Sequence, residues 1–233
     1  MNEEMTQTEV VDVSSLYSHP IAKAFLNKVY GWVAVSMLVT AGIAAYCSNS
    51  VSCLEWTLRN SLLLALGSLG IVLVMGFGMR KLTAGALGLL LLLFSAAEGF
   101  LFGPLLCVYT QASLGTTFAC TAGMFAAMSL YGTFTKRDLS PWRNALYMIL
   151  IGILLAFIVN YFLNNSMVDY IICGIGVLVF ALFTAYDTQQ ILRAGLVLEG
   201  EARSKGAILG ALTLFLDFIN LFLFLLRFLG DRD

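Results

Sequence analysis

Seven stretches of this chain stay apolar for long enough to cross a lipid bilayer, and nothing else in it restricts the fold so severely. They fall at about 29–47, 61–79, 84–109, 114–134, 145–162, 170–190 and 207–228, each near the roughly 20 residues that span a hydrocarbon core about 30 Å thick. In lipid every backbone amide must find its partner within the protein, so a spanning segment is a helix or a strand of a closed barrel. Unbroken apolar runs, without the alternation of barrel strands, select the helix. Composition agrees: of 233 residues 60% are hydrophobic and 12% charged, against about a quarter charged in a soluble domain. The fold class is an all-α integral membrane protein, a seven-transmembrane-helix bundle. The connections are too short for a second domain. The expected organisation is a polar N-terminal arm (1–28), a transmembrane domain (29–229) and a short tail (230–233).

Basic residues set the expected orientation. With the N-terminus cytoplasmic, that side holds Lys23, Lys28, Arg80, Lys81, Lys136, Arg137, Arg143, Arg193, Arg203 and Lys205, while the other keeps Arg59, Arg227 and Arg232. This is the positive-inside pattern, and seven spans then put the C-terminus outside. The arm carries Glu3, Glu4, Glu9 and Asp12 before any base, the reverse of a secretory signal. A net charge of −1 implies no nucleic-acid partner. Cys47, Cys53, Cys107, Cys120 and Cys173 all fall on the expected outer half. Cys47 and Cys53 are spaced for a small disulfide, but small buried hydrophobes are the preferred reading. No pair has metal-site spacing and His19 stands alone, so no tight metal site and no cofactor is expected.

Carboxylates inside the apolar runs carry the functional signal. Asp217 lies near the middle of the last run, where an acid costs about 2.5 to 3.5 kcal/mol on insertion scales. Gly206, Gly210, Thr213, Asp217, Asn220, Phe224 and Arg227 recur at steps of four and three and so share one helical stripe. Except for Phe224 the stripe is small or polar, so that side must face protein or water. Asp187, in Tyr186-Asp187-Thr188, sits towards the cytoplasmic end of the sixth run. Alone it reads equally well as an interfacial acid; with Asp217 it reads as half of a carboxyl pair. Two adjacent acids in a low dielectric cannot both ionise cheaply and titrate as a unit. The depths do not match at first sight, and tilt or a deeper start to the seventh helix must bring them level. Arg80 ends the second run on the same side and has the forked donors to bridge two carboxylates; adjacent Lys81 is the alternative. Glu98 lies past the midpoint of the third run, followed by Gly99, Gly103 and Pro104, which suit either a kinked cation path or a structural hydrogen bond.

Several of these segments together resemble the Bax inhibitor-1 family, also called the transmembrane Bax inhibitor motif family. Phe25-Leu-Asn-Lys-Val-Tyr-Gly-Trp32 and Glu98-Gly-Phe-Leu-Phe-Gly-Pro-Leu105 resemble its first and third spans. Ala185-Tyr-Asp-Thr-Gln-Gln-Ile191 and Leu214-Phe-Leu-Asp-Phe-Ile-Asn-Leu-Phe222 are similar to its signatures in the last two helices, and the likeness runs end to end. It implies six helices around a central C-terminal seventh and a pH-sensitive calcium leak. The acids matching Asp187 and Asp217, with an arginine matched here by Arg80, would close the path on the cytoplasmic side. Calcium is then the transported ion, with Glu98 and Asn220 as further oxygen donors along the path. The family also implies a membrane-bound protease or another membrane protein as a partner, so a non-transporting adaptor is the second reading. The arm lacks the long proline-rich extension of some animal members, which favours a bacterial inner membrane. A third reading, an intramembrane aspartyl protease, is weakened because Leu214-Phe-Leu-Asp217 replaces the Gly-x-Gly-Asp such enzymes carry. No enzymatic activity is expected, and the sequence sets no oligomeric state.

Overall fold

The computed structural model describes residues 19–231. Helices α1 (Pro20–Ser48), α2 (Val51–Gly78), α3 (Ala84–Phe102), α4 (Leu105–Val108), α5 (Gln111–Phe134), α6 (Trp142–Leu163), α7 (Ser166–Val197) and α8 (Gly200–Leu229) follow one another, with no strand among the described residues. Short α4 continues α3 beyond a break at Gly103 and Pro104, so the helices make seven spans. Proline has no amide hydrogen for the helix ladder and clashes with the preceding turn, which places the break where the sequence suggested.

Local chemistry sets the other ends. Pro20 opens α1 with its fixed φ. Thr83, Thr110 and Asn165 accept hydrogen bonds from free amides in the first turns of α3, α5 and α7. Asn164 at φ 48° ends α6 and Gly200 at φ 52° starts α8, left-handed positions that let successive helices reverse within two or three residues.

Helix α8 is the most buried span. It packs against α1, α3, α5 and α7, with Phe215 meeting Phe94 of α3 edge-on at 5.9 Å and Phe218 meeting Phe125 of α5 at 5.5 Å. Aromatic pairs of this geometry add about 0.5–1.5 kcal/mol to their area burial. On the periphery, α2 packs on α1 and α3, and α6 packs on α7. Those two helices turn Leu62, Leu63, Phe77, Ile151 and Leu154 outward, where lipid is the matching solvent.

Several boundaries differ from the sequence expectation, among them the start of α2, which lies at Val51 instead of 61. The first helix begins at Pro20 instead of 29, because Ala22, Phe25 and Leu26 bury one face of its first turns; the rest of the expected arm (1–18) and the end of the expected tail, with Arg232, lie outside the described residues. Helices α7 and α8 run on past the apolar runs to meet at Leu198 and Glu199. Asp187 therefore lies ten residues from the end of α7, about 15 Å at 1.5 Å per residue.

Candidate functional site

The α7–α8 hairpin brings the two acids together through its register. Tyr170 stacks on Phe228 with ring centroids 4.2 Å apart, Phe180 stacks on Phe224 at 5.5 Å, and further along the same seam Asp187 faces Asp217 within direct interaction range. Gly176 makes this fit possible, since a Cβ there would collide with the Phe224 ring. The apparent mismatch in depth disappears because both helices run on past the apolar stretches and the seam pairs them directly.

Asp217 is 4% exposed, and its Oδ2 is buried with no hydrogen-bond donor in reach. Asp187 is half-buried. An ionised carboxylate in such a place is unstable without a partner, and the group facing it is a second carboxyl. One proton bridging the pair satisfies both acids, so the site can take up or release a proton as a unit.

Both acids open into a cavity of about 600 Å³ between α6 and the α7–α8 hairpin. From α8 it is lined by Thr213, Asp217, Asn220, Phe224 and Arg227, five of the seven residues of the sequence stripe. Thr213 and Asn220 each donate back to a carbonyl four residues earlier, Leu209 at 3.1 Å and Leu216 at 2.8 Å, which reconciles polar side chains with a helix in lipid. Tyr147 of α6 lines the part of the cavity nearest the acids' end of α6 and meets Phe183 edge-on at 5.3 Å.

At the outer end the cavity stops at Arg227. Its guanidinium makes a two-pronged ion pair with Asp169 at the start of α7, Nε to Oδ2 at 3.0 Å and Nη2 to Oδ1 at 2.8 Å, and its centre lies 5.2 Å from the Phe157 ring centroid. Arg227 and Phe157 also line a second, outer cavity of about 680 Å³ with Asn160, Asn164 and Asp169. The wall shared by the two cavities is thus an arginine held by a carboxylate and an aromatic face.

Beneath the acids, the loop between α5 and α6 is clasped to α7. Gln189, fully buried, accepts from the Leu139 amide at 2.8 Å and donates to the Arg137 carbonyl at 2.9 Å. Arg193 donates to Ser140 and to Asp138, both at 2.6 Å. The Asp138 carboxyl is held below the usual carboxylate range, chiefly by the Ser140 amide and further by the Ser140 hydroxyl and Arg193.

Other candidates stand apart from the acids. Arg80 is exposed at the end of α2 and has no ion pair among the described residues; α2 packs chiefly on α1 and α3, away from the hairpin. The cations near the Tyr147 end of the acid cavity are Arg143, in electrostatic range of Tyr147 and Tyr186, and Arg193, in range of Tyr186. Glu98 is half-buried beside Ser68 of α2 and does not line the acid cavity. All five cysteines are free. Cys47 is buried with its Sγ 3.5 Å from the Thr57 hydroxyl, as the hydrophobe reading expects, whereas Cys107 and Cys120 are exposed. His19 caps α1 without a side-chain hydrogen bond, and no group of three or more metal-ligating side chains occurs among the described residues. The sequence reading gave Asp169 no role and used Arg227 only for the stripe and the charge bias; that stripe was the available signal for Arg227.

Comparison with known proteins agrees with this architecture. Residues 22–233 match the family described as "Inhibitor of apoptosis-promoting Bax1". The inner membrane protein YbhL of Escherichia coli is 45% identical over 216 residues, covering 90% of this chain and 92% of that protein. An uncharacterised protein of Borreliella burgdorferi is 36% identical, covering 91% and 94%, and one of Deinococcus radiodurans is 35% identical, covering 98% and 96%. This chain belongs to the Bax inhibitor-1 family of multi-pass membrane proteins.

Proposed function

We propose that this protein is a proton-regulated calcium leak of a bacterial inner membrane, with Asp187 and Asp217 as its sensor. The observation that carries the reading is the facing of the two acids across the α7–α8 seam, where Asp217 has a buried oxygen without a donor and both open into one cavity. Loss of the shared proton leaves two adjacent negative charges, which the surroundings must answer with a cation or by moving apart. Arg80 is the side chain assigned to answer. Since α2 lies on the periphery, its approach requires that helix to shift, and the shift is the gating movement of the proposal.

Calcium prefers several oxygen ligands. Asp187, Asp217 and Asn220 offer such oxygens in this cavity, too few for tight binding and suited to passage. Glu98 faces α2 and is left out of the path. The inner-membrane assignment leans on the YbhL relative.

The test is calcium entry into liposomes holding the full chain, followed with a trapped indicator across about pH 6 to 8, for wild type, Asp187→Asn and Asp217→Asn. Each substitution is expected to flatten the pH response of the flux. Identical pH profiles for all three proteins would remove the sensor, and no flux above empty liposomes would favour the adaptor reading, in which the protein modulates a membrane-bound protease without transport.

A further inference from the structure

Where the first turns of α1 and α8 meet at the cytoplasmic side, a separate cavity of about 360 Å³ is lined by Ile21, Ala24, Phe25 and Lys28 from α1 and by Arg203 and Ser204 from α8. Its charged lining is entirely cationic. Lys28 donates one ammonium hydrogen to the Ser204 hydroxyl at 3.1 Å, and Arg203 uses its Nε on the Leu198 carbonyl at 2.7 Å. Neither has an ion pair among the described residues, so the terminal nitrogens of Arg203 and the remaining hydrogens of Lys28 have no acid to answer them. Glu199, one turn before Arg203, and Glu201 are both exposed and do not line the cavity; Glu201 is paired with Lys205 at 3.4 Å and Glu199 makes no ion pair among the described residues.

We propose that this cavity binds the phosphate headgroup of an anionic phospholipid. Two uncompensated cations and a hydroxyl converging on one hollow match a phosphodiester, which accepts several charge-assisted hydrogen bonds at once. The wall opposite is apolar, from Ile21, Ala24 and Phe25, and Val29 beside Lys28 begins the first apolar run. A ligand with a charged head joined to a hydrocarbon body fits that division; free phosphate would leave the apolar wall unused. In the expected orientation, Lys28 at the edge of the first apolar run puts the site where the inner leaflet would present its headgroups. The proposal is independent of calcium passage. A lipid seated there would tie α1 to α8, and Phe25 also abuts Gly195 near the end of α7, so one headgroup would brace three helices.

The experiment uses the full chain in nanodiscs of equal parts phosphatidylglycerol and phosphatidylcholine, extracted into mild detergent, with retained lipid counted by native mass spectrometry. The expected result is selective retention of phosphatidylglycerol. Retention should fall by roughly fivefold for Lys28→Gln or Arg203→Gln and on the order of 25-fold for both together. Lys28→Arg should keep most of it, which guards against a folding defect as the cause. Lys136→Gln with Arg137→Gln, on the same expected side but outside the cavity, should change nothing. Equal retention of both lipids by wild type, or a double variant that retains as much as wild type, would overturn the proposal. So would release of the lipid by millimolar inorganic phosphate, which would assign the site to a soluble anion. Retention that appears only after Glu3, Glu4, Glu9 and Asp12 are neutralised would assign it to the acidic arm instead.

Discussion

Asp138 shows how a single carboxyl can be placed outside the neutral range. Its hydrogen bonds from Ser140 and its ion pair with Arg193 favour the charged form and lower its pKa in the folded protein. A carboxyl with a depressed folded pKa adds stability that is fully present above the unfolded value of about 4 and is lost as pH falls through the folded value. The clasp between the α5–α6 loop and α7 should therefore hold unchanged through neutrality and loosen only in strong acid. Thermal unfolding in detergent should show Asp138→Asn less stable than wild type at neutral pH, with the two converging below about pH 4. A gap that closes already near pH 7 would mean that the clasp, and not the buried acids, carries any neutral pH response. Among the residues themselves, Asp187 and Asp217 were legible because an acid inside an apolar run is conspicuous, and Asn220 because it shares their stripe. Asp169 was not, since its meaning depends on which turn of α8 lies beside the start of α7. Gln189 was hidden for a related reason: a buried amide gripping loop backbone leaves no pattern in a sequence.

At the scale of helices, the site depends on how closely α5 approaches α7. Gly132 faces the Ala185 carbonyl so tightly that an added Cβ would strike backbone atoms, which cannot move aside as a side chain can. Ala185 is two residues from Asp187, so a displaced α7 would carry the acid with it. Gly132→Ala is expected to lower stability by about 1–3 kcal/mol, the usual penalty for overpacking, read as a fall in unfolding temperature in detergent. Gly123→Ala on the same helix has open space around it and should be neutral or slightly stabilising, because alanine favours helix by close to 1 kcal/mol over glycine. Equal effects at the two positions would show that α5 and α7 are not in this contact. The sequence displayed each span but could not rank their neighbours. The positions of α2 and α6 outside the ring follow from packing, and that packing is why Arg80 and Glu98, both attractive as isolated residues, do not reach the acids. Helix ends were misjudged at α1, α2, α7 and α8 because turns that continue a helix with charged and polar residues fall outside any hydrophobic run.

For the molecule as a whole, an odd number of spans predicts a relation between the ends: they are expected on opposite sides of the membrane. Ten of the thirteen lysines and arginines fall on one side of that arrangement, so a periplasmic reporter such as alkaline phosphatase fused after the C-terminus should be active and a cytoplasmic fluorescent reporter dark. The opposite result would invert the molecule and move the acid pair to the outer half. In the expected orientation the acid cavity and the outer cavity lie one above the other along α8, and only the wall at Arg227 and Phe157 is common to both. Removing the guanidinium while keeping a polar side chain should join them. Arg227→Gln is expected to raise calcium flux into liposomes several-fold at fixed pH while leaving its pH dependence in place, because the acids are untouched. Asp169→Asn should act in the same direction but more weakly, since it weakens one of the two contacts that hold Arg227 and leaves the Phe157 ring. If both variants conduct as wild type does, ions do not pass along this face of α8, and the cavity around Asp187 and Asp217 communicates with the outside by another route or not at all.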